Sequence, residues 1–228
     1  MIHKGRRSVL GLRFASTSSI ASLLATLALA PCGFAQEPRY CVQAPCGLQL
    51  VGTQNGVADP HGEITLAIGV GPECTPLPNA EVTLDFTFCQ TDLRLCSTQP
   101  GWPGSVACPL LAGLTDETGA ITFRLVGGGH NTGNPAGYAG DACAGGCLTV
   151  LVNGTAAARL SVAAFDEDGS GGVGPPDVSL WLDDAFSGLL LSRSDFDFTN
   201  DLTPVDLALL LAVSLHGESV QSCEAYCF

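Results

Sequence analysis

The sequence predicts a mainly β protein: a β-sandwich followed by a small α C-terminal module. Three observations carry that prediction. Residues 47–165 hold short stretches in which apolar and polar side chains alternate, the period of a strand with one dry and one wet face. Gly- and Pro-rich turns separate those stretches. Residues 166–215 instead carry one pattern twice at an offset of 29 residues, each copy an acidic loop followed by an apolar, helix-like run.

The chain opens, over residues 1–35, on an export signal. Lys4, Arg6, Arg7 and Arg13 form a positive start, and Ile20–Ala30 is an apolar core too short to span a bilayer. Gly33-Phe34-Ala35 fits a small-x-small cleavage site that leaves Gln36 first. Cys32 as a lipid-anchored residue and Arg6-Arg7 as a twin-arginine signal are the alternatives at this end. The mature chain is expected to be secreted or held at the cell surface, with the periplasm as the other compartment. It keeps five Arg, no Lys and 22 acids, a formal charge of −17. Such a charge excludes nucleic acid and anionic membrane surfaces as partners, since both need basic patches. It suits cation binding, because packed carboxylates repel one another until a metal neutralises them.

Residues 36–165 form the predicted β-domain. Strands are expected at Leu48–Gly52, at Ile64, Leu66, Ile68 and Val70, and at Glu81–Cys89, where Val82, Leu84, Phe86 and Phe88 face inward. Another follows the turn Asp116–Gly119 through Ile121, Phe123 and Leu125. The last two, Cys147–Val152 and Ala158–Ala164, flank Asn153-Gly154, a strong hairpin signal. Gly127 to Gly140 reads as a long irregular loop, and about 120 residues suffice for an independent core. The segments Pro78–Phe86 and Thr115–Phe123, with their strand, turn and outgoing strand, resemble bacterial Ig-like domains of surface proteins. That resemblance implies an Ig-like β-sandwich.

Ten cysteines remain after Cys32, an even number that in an exported chain argues for disulfides. Close spacing suggests Cys41–Cys46, Cys143–Cys147 and Cys223–Cys227, with Cys74, Cys89, Cys96 and Cys108 pairing among themselves. No Cys-x-x-Cys pair points to zinc.

Residues 166–228 hold the repeat. Its first loop runs from Asp166 to Asp177 and its second from Asp195 to Asp206. Oxygen-bearing side chains stand at loop positions 1, 3, 5 and 12: Asp166, Asp168, Ser170 and Asp177, then Asp195, Asp197, Thr199 and Asp206. Position 7, Gly172 and Asp201, adds a main-chain carbonyl. Calcium, a hard cation, takes six to eight oxygens, so a short loop must curl alternate side chains inward. Position 6 must turn sharply, which suits Gly171 better than Asn200 and predicts that the first loop binds more tightly. Apolar Val173 and Leu202 at position 8 suit a short pairing between the loops.

An apolar run follows each loop (Val178–Phe186 and Leu207–Leu215), while the segments before the loops are a strand and a short connector. A duplicated loop plus one helix resembles the dockerin type I family over the last quarter of the chain. The sequence departs from that family at positions 10 and 11, where Pro175-Pro176 and Pro204-Val205 replace a small polar pair. The resemblance implies two Ca2+ sites and a cohesin-like or other cell-surface protein as partner. It places the partner surface on the helices, including Trp181, Asp183 and Asp184, with core packing as the competing role for Trp181.

No Gly-x-Ser-x-Gly, His-Glu-x-x-His or phosphate-binding glycine loop occurs. His61, His130 and His216 read as turn or surface residues, so the chain is expected not to be an enzyme. Two function classes remain: an exported calcium-binding docking protein, or a small secreted carbohydrate-binding or polysaccharide-degrading protein carrying a dockerin. With Trp102 and Tyr138 as the β-domain's Trp and Tyr from residue 47 onward, support for sugar stacking is thin. The junction Phe165-Asp166 lacks a linker, so strand and first loop are expected to sit in a fixed relation.

Overall fold

The computed structural model describes residues 39–54, 57–129, 146–187, 192–215 and 226–227. The expected export segment, residues 1–35, and Cys32, His130, Tyr138, Cys143, His216 and Cys223 lie outside the described residues. Seven strands come first: β1 (Tyr40–Gln43), β2 (Gly47–Leu50), β3 (Thr53–Gln54), β4 (Val57–Ala58), β5 (Glu63–Val70), β6 (Thr75–Pro76) and β7 (Glu81–Asp85). Seven more follow: β8 (Leu93–Leu95), β9 (Ser105–Ala107), β10 (Leu110–Leu114), β11 (Ala120–Arg124), β12 (Gly127–Gly129), β13 (Leu148–Val152) and β14 (Thr155–Ala164). Helices α1 (Pro175–Ser187) and α2 (Pro204–Leu215) come last. The protein is mainly β, as the alternation predicts.

Two sheets enclose the main core. One has the order β1-β5-β11, with β6 also on β5; the other has the order β2-β14-β13-β7-β10-β9. Inward residues of both, among them Leu66 and Phe123 from the first and Leu84, Leu148 and Val162 from the second, form one buried cluster. The pairs β12-β8 and β3-β4 stand apart from these sheets. The β13–β14 hairpin turns at Asn153 and Gly154 with φ of 48° and 78°, the left-handed pair that the Asn-Gly signal announces. At Asp116–Gly119, Asp116 Oδ1 accepts from the Thr118 and Ala120 N–H groups at 2.8 and 3.0 Å.

Three expectations need correction. The strand from Glu81 stops at Asp85, whose Oδ1 accepts from the Thr87 N–H, so the chain turns before the alternation is complete. Phe86 is still buried, but Phe88 is 51% exposed with the Arg159 guanidinium 5.6 Å from its ring centre. Gly127–Gly129 is no loop: it is buried strand β12, antiparallel to β8. The expected cysteine pairs also fail. Cys41 joins Cys74, Cys89 joins Cys147 and Cys108 joins Cys227, with Cα separations of 5.8, 5.0 and 5.1 Å, and Cys46 and Cys96 are disulfide-bonded as well. Cys41 lies on β1 of the first sheet and Cys46 leads into β2 of the second, so the bend between them drives the two residues apart. Loops of 33, 58 and 119 residues are closed, each worth on the order of 3–5 kcal/mol in the loop-closure account.

The sheets and the loop–helix repeat lie within one compact unit, Glu37–Phe228. Strand β14 starts exposed at the hairpin and ends buried, pairing in parallel with β2 through Val162 opposite Leu48 and Ala164 opposite Leu50. It then delivers Phe165 to a second cluster that joins Val51, Val126 and Ala163 to Trp181, Phe196, Leu210 and Val213. The Phe165 and Phe196 rings stack at 4.6 Å between centres. The missing linker thus has the consequence expected of it: strand and repeat share one apolar seam.

Phe165→Ala should cost about 3–5 kcal/mol and leave a single denaturant transition followed by both circular dichroism and tryptophan fluorescence. A loss below about 1 kcal/mol, or two separate transitions, would show that the sheets and repeat fold independently.

Candidate metal centre

Each loop gathers three carboxylates. In Asp166, Asp168 and Asp177, and again in Asp195, Asp197 and Asp206, one ligand atom per residue lies within 4.8 Å of the other two. Positions 1 and 12 of both loops are buried, and position 3 is half-buried. Ser170, Thr199 and Asp201 are exposed, and Gly172 is half-buried.

The hydrogen bonds repeat atom for atom at the offset of 29. Asp166 Oδ1 accepts from Ser170 N–H and Oδ2 from Gly171 N–H; Asp195 Oδ1 and Oδ2 accept from Thr199 and Asn200 N–H, all at 2.9–3.0 Å. Asp168 Oδ1 also accepts from Ser170 N–H at 2.8 Å, and Asp197 Oδ1 from Thr199 N–H at 3.1 Å. Asp177 accepts from Asp168 and Gly174 N–H, as Asp206 does from Asp197 and Thr203 N–H, over 2.7–3.1 Å. These bonds curl the main chain around the carboxylates. In loop 2 the Thr199 hydroxyl donates to Asp197 Oδ1 at 2.7 Å and reaches the Asp201 carbonyl at 3.4 Å, bringing positions 3, 5 and 7 together.

Left-handed backbone occurs at positions 4 and 6 of both loops. Loop 1 places glycine there, Gly169 at φ 66° and Gly171 at 99°; loop 2 places Phe198 at 57° and Asn200 at 64°. Position 6 follows the sequence reading, and position 4 was not foreseen. For Phe198 the conformation costs on the order of 1–2 kcal/mol, offset by its ring packing on Gly47, where a Cβ would collide with it.

The second copy departs from the first at position 2. Phe196 is 1% exposed in the apolar seam, and its equivalent, Glu167, is fully buried. Neither Glu167 oxygen has a hydrogen-bond partner, and the nearby Ser194 hydroxyl donates instead to Asp184 Oδ2 at 2.7 Å. Burial first, then the Asp184 charge, pushes the Glu167 carboxyl up to about 9, so it is neutral at pH 7. The 29-residue offset from Phe196 is the signal that could have marked Glu167 as interior.

Arg193 is the other residue that sequence reasoning missed. It is buried, pairs with Asp184 Oδ2 at 3.2 Å and meets Asp92 Oδ1 at 3.3 Å. Asp184 and Trp181 therefore do not form the expected partner surface. Asp184 is buried against Arg193, and Trp181 is 5% exposed, its indole N–H donating to the Ser194 carbonyl at 3.1 Å. Asp183 does lie on the open side of α1. Val173 and Leu202 pack against the second apolar cluster. His61 is exposed in a turn, its Nδ1 2.6 Å from Asp59 Oδ1.

The first loop is backed by β12. Gly129 N–H donates to the Asp166 carbonyl, and a Cβ at Gly128 or Gly129 would strike Asp166 or the Glu167 main chain. The Tyr226 hydroxyl bonds the Gly169 carbonyl at 3.3 Å from the other side. So placed, Asp166 has its pKa pushed up to about 7, by burial first and then by the Asp177 charge. Burial also raises Asp177, and Asp195 rises to about 6. The donors are carboxylates, hydroxyls and carbonyls without nitrogen or sulfur, a set suited to a hard divalent cation. Comparison with known proteins finds no match for this chain among family models, curated proteins or solved structures.

A raised carboxyl pKa favours the apo fold most below about pH 4, and that advantage is lost as pH rises towards 7. A cation binds the ionised form, so affinity should move the other way. Calcium affinity should fall between pH 7.5 and 5.5, first at the Asp166 loop and then at the Asp195 loop, with proton release on binding; a flat profile would contradict the crowding. Arg193→Met, which leaves buried Asp184 and Asp92 without their cation, should cost about 3–5 kcal/mol in a denaturant melt at pH 7.

Proposed function

We propose that this is an exported, non-catalytic calcium-binding protein whose C-terminal repeat holds two Ca2+ ions. The observation that carries the reading is the hydrogen-bond set shared by both loops at one offset. Two unrelated acidic turns would not orient the same atoms of the same positions. Asp166, Asp168, Ser170, the Gly172 carbonyl and Asp177 would hold one ion; Asp195, Asp197, Thr199, the Asp201 carbonyl and Asp206 would hold the other. Bound Ca2+ neutralises carboxylates that otherwise repel inside a low-dielectric seam, which stabilises the repeat against the sheets.

The repeat acts in this reading as a dockerin-like module for protein docking or cell-surface attachment, with a cohesin-like protein as the kind of partner. With Trp181 and Asp184 engaged inside the fold, the open side of α1 offers Asp183 and Phe186, the latter 85% exposed.

Calorimetric titration of the full disulfide-bonded chain should give two calcium ions at about 10⁻⁴–10⁻³ M, the glycine-bearing first loop filling first and magnesium failing to substitute. Asp166→Ala with Asp195→Ala should abolish both heats. Absence of binding at millimolar calcium, or heats that survive the double variant, would refute the reading.

A further inference from the structure

Strand β11 ends its sheet: β5 pairs with one side, and among the described residues no strand pairs with the other. The bond from Ile68 N–H to the Gly119 carbonyl sets the antiparallel alternation. Ile121 and Phe123 therefore bond towards β5, and the main-chain groups of Thr122 and Arg124 point outward. The third outward residue, Ala120, is already engaged: it donates to Asp116 Oδ1 at 3.0 Å and accepts from Asp116 N–H at 2.8 Å.

Two hollows lie along this edge. The larger, about 690 Å³, is bordered by Glu81, Trp102, Leu114, Asp116 and Thr122. The smaller, about 260 Å³, extends it past Arg124 and Glu63, and the two meet at Trp102, Pro103 and Thr122. Trp102 is half-buried at that junction, stacked on Phe123 with ring centres 4.7 Å apart.

The acidic charge is concentrated in the larger hollow. The larger hollow has no base in its wall, and Glu81 and Asp116 are both exposed. The Thr118 hydroxyl, then the Ala120 and Thr118 N–H groups, all donate to Asp116 Oδ1, which holds its carboxyl below the usual range. Arg124, the base of the smaller hollow, is held by Glu63, Nε to Oε2 at 2.7 Å.

We propose that the outer edge of β11 receives an extended basic peptide segment of another protein, added as a strand, with a lysine or arginine seated against Trp102 between Asp116 and Glu81. Main-chain pairing supplies affinity in such strand addition, and pockets for alternate side chains supply specificity. Trp102 provides the cation–π face and the two acids the counter-charge. A second copy of this chain is a poor occupant, because the mature sequence carries no Lys and a formal charge of −17. A neutral sugar would use Trp102 and donate hydroxyls to the acids, but it would leave the open main-chain edge without a role. The calcium loops take no part in this site.

The test uses the full disulfide-bonded chain and a fluorescent octapeptide alternating lysine with valine. The peptide should bind, weaken as salt rises, and lose about tenfold or more in affinity when N-methylated at alternate residues. Asp116→Asn with Glu81→Gln should lose about tenfold, and Glu81→Gln alone, at an exposed position, should lose a smaller factor in the same direction. Equal binding of a glutamate–valine peptide, or of the N-methylated one, would overturn the proposal. So would binding of a neutral oligosaccharide in place of the lysine peptide.

Discussion

Arg193 is the single base among ten acids between Asp166 and Asp206, and it is buried. Its guanidinium meets Asp184 of α1 on one side and Asp92, just before β8, on the other. Burying either carboxylate without a cation would cost several kcal/mol. This one side chain therefore joins α1 to the β-domain by charge, beside the apolar seam that Trp181 enters. Glu167 lies in the same acidic surroundings, and its neutral form avoids adding a further buried charge.

Duplication explains the geometry of the loops and also its limits. Both copies place carboxylates at positions 1, 3 and 12 and donate the same N–H groups to them, so the local fold follows from a short sequence pattern. The copies diverge where their surroundings diverge. Loop 1 presses on β12, where glycines at 128 and 129 let two main chains approach, and its own turns use glycine. Loop 2 faces β2, where Phe198 covers Gly47 and Gln49 Nε2 donates to the Phe196 carbonyl at 2.6 Å. A strained backbone there is exchanged for apolar contact.

Sheets and repeat are also tied covalently and at the chain's end. Cys227 is linked to Cys108 and its N–H donates to the Leu95 carbonyl at 2.8 Å, while neighbouring Tyr226 reaches the first loop. Residues 226 and 227 thus touch both the β-domain and the first carboxylate loop.

The sequence by itself determined what is periodic or local. Alternation located six of the fourteen strands, β2, β5, β7, β11, β13 and β14, Asn153-Gly154 the hairpin, and the 29-residue offset the two carboxylate clusters, because each depends on neighbours within a few residues. Only the tertiary structure decided the rest. Cysteine pairing follows which strands lie side by side, so Cys41 meets Cys74 across 33 residues and passes over nearby Cys46. The interior role of Glu167, the burial of Trp181 and Asp184, and the value of Arg193 arise from two layers closing on one seam. Gly127–Gly129 looks like a loop because nothing local makes it a strand; β8 and the first loop give it partners. These are long-range contacts, and a residue's own neighbours in sequence carry no record of them.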